Sequence, residues 1–271
     1  MQLTIREPGS AITHFIGCLM ALIAASPLLI KAHGNATYML AMTIFATSMV
    51  LLYAASTIYH SICHVSTKVL RNFQKLDHMM IFVLIAGSYT PVCMIILGGR
   101  IGYTLLALVW GIAVAGIIVK GLWITCPKWF SSIIYIAMGW TCLPVFARLW
   151  TDLPHAAFGW LLAGGIIYTI GGVIYALKLP VFNALHKYFG SHEIFHLFVM
   201  GGSVCHFIFM YHYVIWSFIF CHCSQVSLRT VTIFPLLWSA LWCSHKHILL
   251  PDLLRNRTVS LNLLQMLSSL Q

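Results

Sequence analysis

The chain has very little charge, and almost none of it is acidic. Five acidic and fifteen basic residues make up only 7% of 271 positions. An ordinary globular chain is about 25% charged. So few ionised groups cannot coat a water-soluble particle of this length, which excludes a soluble enzyme, a disordered regulator and a coiled coil. The basic residues stand singly between apolar runs and form no Arg/Lys stripe, so the net charge of +10 is no nucleic-acid footprint. There is no Gly-rich phosphate loop, no GxSxG and no pair of CxxC motifs. Most of the nine cysteines sit within apolar runs and read as small buried hydrophobes, not as a disulfide framework. Cys221-His222-Cys223 has poor spacing for a metal site. The first apolar run lacks the basic lead and small-residue cleavage pattern of a signal peptide, so it is taken as a retained helix.

What the chain has is hydrophobicity, at 61% of its residues. A membrane-spanning helix needs roughly 20 mostly apolar residues. Runs of that kind cover 12–30, 38–60, 78–98, 101–122, 129–149, 156–177 and 193–217. The expected fold is therefore an all-α polytopic membrane protein with seven transmembrane helices. Pro27, Pro91 and Pro144 fall inside spans, where neighbouring helices tolerate local kinks. Ala163, Gly164, Gly165, Gly171 and Gly172 crowd the sixth span and allow close helix approach.

Loop charge sets the orientation. With the N-terminus inside, the inner segments hold Arg6, Lys68, Arg71, Lys75, Lys120, Lys128, Lys178 and Lys187. The outer loops hold only Lys31, Arg100 and Arg148. This bias of eight to three places the N-terminus in the cytoplasm. Residues 1–217 form the membrane domain, and 218–271 form an atypical C-terminal extension. An eighth span at 230–250 is conceivable there, but an amphipathic or disordered tail is the expectation. No internal repeat is evident.

The polar residues gather at one level. Ser56 and His60 lie four apart at the end of the second span, on one helix face. Asp77 and His78 open the third span. His192 and His196, again four apart, open the seventh, and His14 lies early in the first. The topology puts His14, His60, Asp77, His192 and His196 near the same cytoplasmic membrane level, although none of them entered the charge count. Two histidines at i and i+4 with a third from another helix suit a three-histidine zinc site that keeps a position for water. Such a metal makes water a better nucleophile. Asp77 could orient a ligand or act as general base, and Ser56 could donate a hydrogen bond. His64, His206 and His212 compete as ligands. His206 is ten residues beyond His196, nearly three turns along an unbent helix. Interfacial histidines and a helix-capping aspartate are the bland alternative. His192-Glu193-Ile194-Phe195-His196 matches His-Glu-x-x-His literally, but it opens a membrane span instead of sitting in a soluble protease domain. Glu193 remains a secondary catalytic candidate.

These residues together resemble the haemolysin III proteins of bacteria, within the broader progestin and adiponectin receptor family. The resemblance rests on Glu7 with Thr13-His14; Ser56-Thr57-Ile58-Tyr59-His60; Leu76-Asp77-His78; Gly87-Ser88-Tyr89-Thr90-Pro91; and Ser191-His192-Glu193-Ile194-Phe195-His196. It covers about residues 5–217. It implies seven helices in the bacterial cell (inner) membrane, with zinc held by His60, His192 and His196. Asp77 and Ser56 match its other polar positions. The family usually has Asn where this chain has Ser10. In the receptor branch, similar sites are linked to hydrolysis of ceramide-like lipid amides, so membrane lipids are the expected partners and zinc the expected cofactor. The alternative is a non-enzymatic protein, membrane-perturbing or sensing lipid packing, with a structural zinc. A wide aqueous pore is disfavoured by the scarcity of charge.

Overall fold

A computed structural model describes residues 5–177 and 190–215. The extension over 218–271, including the conceivable span at 230–250, lies outside the described residues. So do Cys221-His222-Cys223, Lys178, Lys187 and the last two residues of the expected seventh span.

Among the described residues, eight α-helices make seven segments long and apolar enough to cross a membrane. They are α1 (Pro8–Ala32), α2 (Ala36–Ser61), α3 (Thr67–Pro91), α4 (Gly99–Leu122), α5 (Lys128–Gly139), α6 (Phe146–Asp152), α7 (His155–Leu177) and α8 (Ser191–Phe209). Helices α5 and α6 share one span, Lys128–Asp152. No strand occurs among the described residues. All seven expected runs coincide with a span.

Local chemistry explains where the helices begin. Pro8 opens α1, where its missing N–H costs nothing. The Asn35 side chain starts α2 by accepting from the amides of Thr37 and Tyr38, at 3.0 and 3.1 Å. Ser66 caps α3 by accepting from the Val69 amide. That cap starts α3 eleven residues before the expected span at 78, so the helix carries Lys68, Arg71 and Lys75 on an initial stretch that apolarity alone did not mark.

The prolines act in three ways. Pro27 lies within α1, which continues past it. Pro91 ends the regular part of α3, which widens into a π-helical turn over Val92–Leu97. Gly98 and Gly99, with φ of 54° and 51°, then turn the chain into α4, a conformation that favours glycine. Around Pro144 the fifth span breaks into a 3₁₀ turn over Leu143–Val145 before α6.

Consecutive helices pack as neighbours from α1 to α4, α7 lies along α8, and α8 returns against α1. That return brings the start of the last span beside the first. The close approach expected of the sixth span is real: a Cβ on Gly171 would stand 2.6 Å from Phe198 Cβ on α8. Phe45, Phe82, Met138 and Phe209 fill the interior. Ile23 and Ile30 on α1 are 74% and 71% exposed, as befits a lipid-facing side.

Candidate metal centre

The end of α2, the interior of α3 and the start of α8 meet at one point. His60 lies in the last turn of α2, Asp77 lies within α3, and His192 and His196 lie in the first two turns of α8. His60 is 1% exposed and His196 2%. One donor atom from each of His60, His192 and His196 can be chosen so that all lie within 4.8 Å of one another. It is the one such histidine, cysteine or carboxylate group among the described residues. His60 Nε2 and His192 Nε2 are 3.3 Å apart. Nitrogens held about 2.0–2.1 Å from a tetrahedral zinc stand roughly 3.3–3.4 Å from each other. The observed separation is compatible with one edge of such a tetrahedron.

Two of the three outer ring nitrogens have partners suited to this use, while His192 Nδ1 has none among the described residues. His60 Nδ1 meets the Glu7 carboxylate. An ionised carboxylate only accepts, so Nδ1 carries the proton and Nε2 keeps its lone pair. His196 Nδ1 lies 3.4 Å from Thr13 Oγ1. Carboxylate and hydroxyl groups behind histidines commonly orient metal ligands. Glu7 stands just before the first span. The hydrogen bond from His60 holds its carboxyl down to about 2, against the opposing pull of burial, and the nearby Arg6 guanidinium assists.

Asp77 faces the same point, with Oδ2 4.0 Å from His60 Nε2 and 3.8 Å from His78 Nδ1. Ser56, one turn before His60, is fully buried, and its Oγ makes no hydrogen bond among the described residues. His14 stacks on His196 at 3.6 Å between ring centres. Asp77, His192, His196 and His14 line a cavity of about 170 Å³, which continues past Leu84, Phe158, Leu161 and Val199. It is polar near the histidines and mostly apolar beyond them.

The other candidates lie elsewhere. Both Glu193 oxygens are engaged: Ser10 Oγ donates to Oε1 at 2.6 Å, and the Gly190 amide donates to Oε2 at 2.8 Å. His206 lines the cavity away from the triad and packs edge-on against Tyr168. His64 is an exposed loop residue with φ of 58°, and His212 is exposed in the π-helical turn after α8.

Sequence reasoning gave Glu7 and Thr13 no role at the metal and treated Ser10 as a departure from the family pattern. In the structure the buried Ser10 ties α1 to α8 through Glu193. Scarcity was the available signal: in a chain with five acidic residues, one held at the first turn of a span calls for a partner.

A seven-helix membrane bundle with a buried histidine cluster at the meeting of three helices is thus the class of protein that fold and site define. The model of the family described as "Haemolysin-III related" matches residues 3–207, and the chain belongs to that family. It is 40% identical over 216 residues to Hemolysin-3 of Bacillus cereus, covering 79% of this chain and 94% of that protein. A Hemolysin-3 homolog of Bacillus subtilis (strain 168) is 39% identical over 215 residues, covering 78% and 96%. The progestin and adipoQ receptor-like protein 1 of Caenorhabditis elegans is 29% identical over 226 residues, covering 74% of this chain and 50% of that protein. The chain is accordingly a multi-pass protein of the bacterial cell membrane.

Proposed function

We propose that this haemolysin III protein holds zinc at His60, His192 and His196 and hydrolyses an amide bond in a ceramide-like membrane lipid. The observation that carries the reading is a three-histidine group of which His192 and His196, beside Asp77, line the polar end of an otherwise apolar cavity. When bound, zinc supplies Lewis acidity, polarising a carbonyl oxygen and easing the deprotonation of water. Asp77 takes the proton of the attacking water and returns it to the departing amine. Ser56, buried with an unused hydroxyl, donates to the oxygen that gains charge as the carbonyl carbon is attacked. The apolar length of the cavity receives the acyl chain and keeps bulk water away. Glu193, with both oxygens engaged, serves to position the start of α8 against α1.

A second reading follows from Asp77 itself. Its oxygen lies close enough to His60 Nε2 to become a fourth ligand, and a site closed by four protein ligands is structural. The metal would then clamp α2, α3 and α8, while the protein perturbs or senses lipid packing without catalysis.

Asp77→Asn separates the two. Catalysis predicts that the variant keeps its zinc while lipid-amide turnover in proteoliposomes falls about 10²–10⁴-fold, the usual contribution of a positioned acid–base group. Turnover equal to the parent's overturns the assigned role. A folded variant that loses its zinc, beside a zinc-loaded parent that turns over no lipid amide, favours the structural reading.

A further inference from the structure

Away from the histidine cluster, the corner between α4 and α5 holds a second group of reactive side chains. Lys120 lies in the last turn of α4 and is only 3% exposed. Its Nζ lies 3.1 Å from Cys126 Sγ and donates to Ser131 Oγ at 2.5 Å. Cys126 Sγ and Ser131 Oγ are themselves 3.3 Å apart. Cys126 is in the short connection 123–127 and is 7% exposed, and Ser131, in the first turn of α5, is 2% exposed. No carboxylate among the described residues lies within ion-pairing distance of Lys120. A buried cation is ordinarily matched by an anion, because leaving it unmatched is costly. Here its partners are a sulfur and a hydroxyl.

We propose that Cys126 and Lys120 are a peroxide-responsive modification site, at which oxidation joins Sγ to Nζ in a sulfenamide. In the first step a hydroperoxide transfers oxygen to sulfur. The O–O bond breaks, the thiol becomes a sulfenic acid, and hydrogen peroxide is reduced to water. In the second step Nζ gives up its ammonium proton to water and, as the free amine, attacks the sulfur. The S–N bond forms and the S–O bond breaks, and the departing hydroxide leaves with a nitrogen proton as a second water. Overall, one thiol, one amine and one hydrogen peroxide give one sulfenamide and two waters.

Geometry favours this route over further oxidation. A sulfenic acid condenses readily with a nucleophile held beside it, and the amine is already in contact with the sulfur. Burial hinders bulkier thiols from intercepting it. The product is neutral, so the corner no longer carries a buried amine lacking an anion. The new bond would staple the end of α4 to the connection that launches α5. Helix α5 contributes Ser132, Tyr135 and Ile136 to the cavity wall, and Tyr135 donates from its hydroxyl to the His78 carbonyl at 3.1 Å. A peroxide signal at this corner therefore acts on a wall of the cavity without touching His60, His192 or His196.

The test is peptide mapping of the full chain in mild detergent after hydrogen peroxide, with and without dithiothreitol. The expected product is a Lys120–Cys126 peptide lighter by two hydrogens, with loss of tryptic cleavage after Lys120. Dithiothreitol restores both mass and cleavage. Cys126→Ser and Lys120→Arg each abolish the two-hydrogen loss, and cleavage at position 120 persists under peroxide in both. Should either variant fail to fold, the parent map alone decides. Cys126 carrying added oxygens with Lys120 still cleaved, or Cys126 left unmodified while the half-buried Cys18 and Cys63 oxidise, overturns the proposal.

Discussion

Glu7→Ala probes the support behind the proposed metal ligands. His60 is 1% exposed, and its Nδ1 is held by the Glu7 carboxylate. Removing that carboxylate leaves a buried N–H with no acceptor and frees the ring to rotate, so Nε2 is no longer held 3.3 Å from His192 Nε2. Loss of such a partner behind a ligating histidine typically costs 10–100-fold in metal affinity. That corresponds to roughly 1.4–2.8 kcal/mol at tenfold per 1.4 kcal/mol. Glu7→Gln keeps an acceptor oxygen and loses only the charge, so its effect belongs at the lower end of that range. The assay is competition for zinc against a chromophoric chelator in mild detergent, with helix content confirming the fold. A folded Glu7→Ala protein with the parent's zinc affinity would refute the reasoning, because the carboxylate would then not be orienting His60.

The same residue carries a pH signature in the metal-free protein. Its folded value, about 2, lies below the ordinary 4.5, so its stabilising contribution is complete above 4.5 and is lost as pH falls toward 2. The melting-temperature gap between parent and Glu7→Gln should therefore be constant from pH 8 down to about 5 and close between roughly 4.5 and 2; a gap that closes instead near neutrality would count against this source. Gly202 tests the packing of α7 on α8. An added Cβ would stand 2.7–2.8 Å from the Tyr168 ring, whose hydroxyl meets Ser203 Oγ at 2.8 Å. Gly202→Ala should destabilise by about 1–3 kcal/mol, the usual range for overpacking, read as a lowered melting temperature. An unchanged melting temperature would show that the two helices are not in close contact there.

The spans were legible because a membrane imposes a length and an apolarity that few other folds satisfy, and each of the seven runs stands out against scarce charge. The gathering of His60, His192 and His196 was legible for a related reason. Four-residue spacing fixes a helix face, and alternating topology fixes a depth, so two simple rules place three residues near one point. What stayed hidden depends on which helices touch. Ser10 and Glu193 are 183 positions apart, and their hydrogen bond follows only from α8 returning to α1. The early start of α3 depends on the Ser66 cap, and the break between α5 and α6 falls around Pro144. Hydropathy averages over both. Glu7 could be matched to a family pattern, but its contact with His60 crosses from the start of α1 to the end of α2 and has no periodicity to announce it.

The central claim is that His60, His192 and His196 form a zinc site. The most direct measurement is metal content per monomer of protein purified in mild detergent without chelators, beside the His60→Ala/His192→Ala/His196→Ala variant. The account predicts a single zinc per parent monomer and none in a variant that remains helical and monodisperse. Zinc absent from the parent after incubation with the free ion, or present equally in the folded variant, would contradict it.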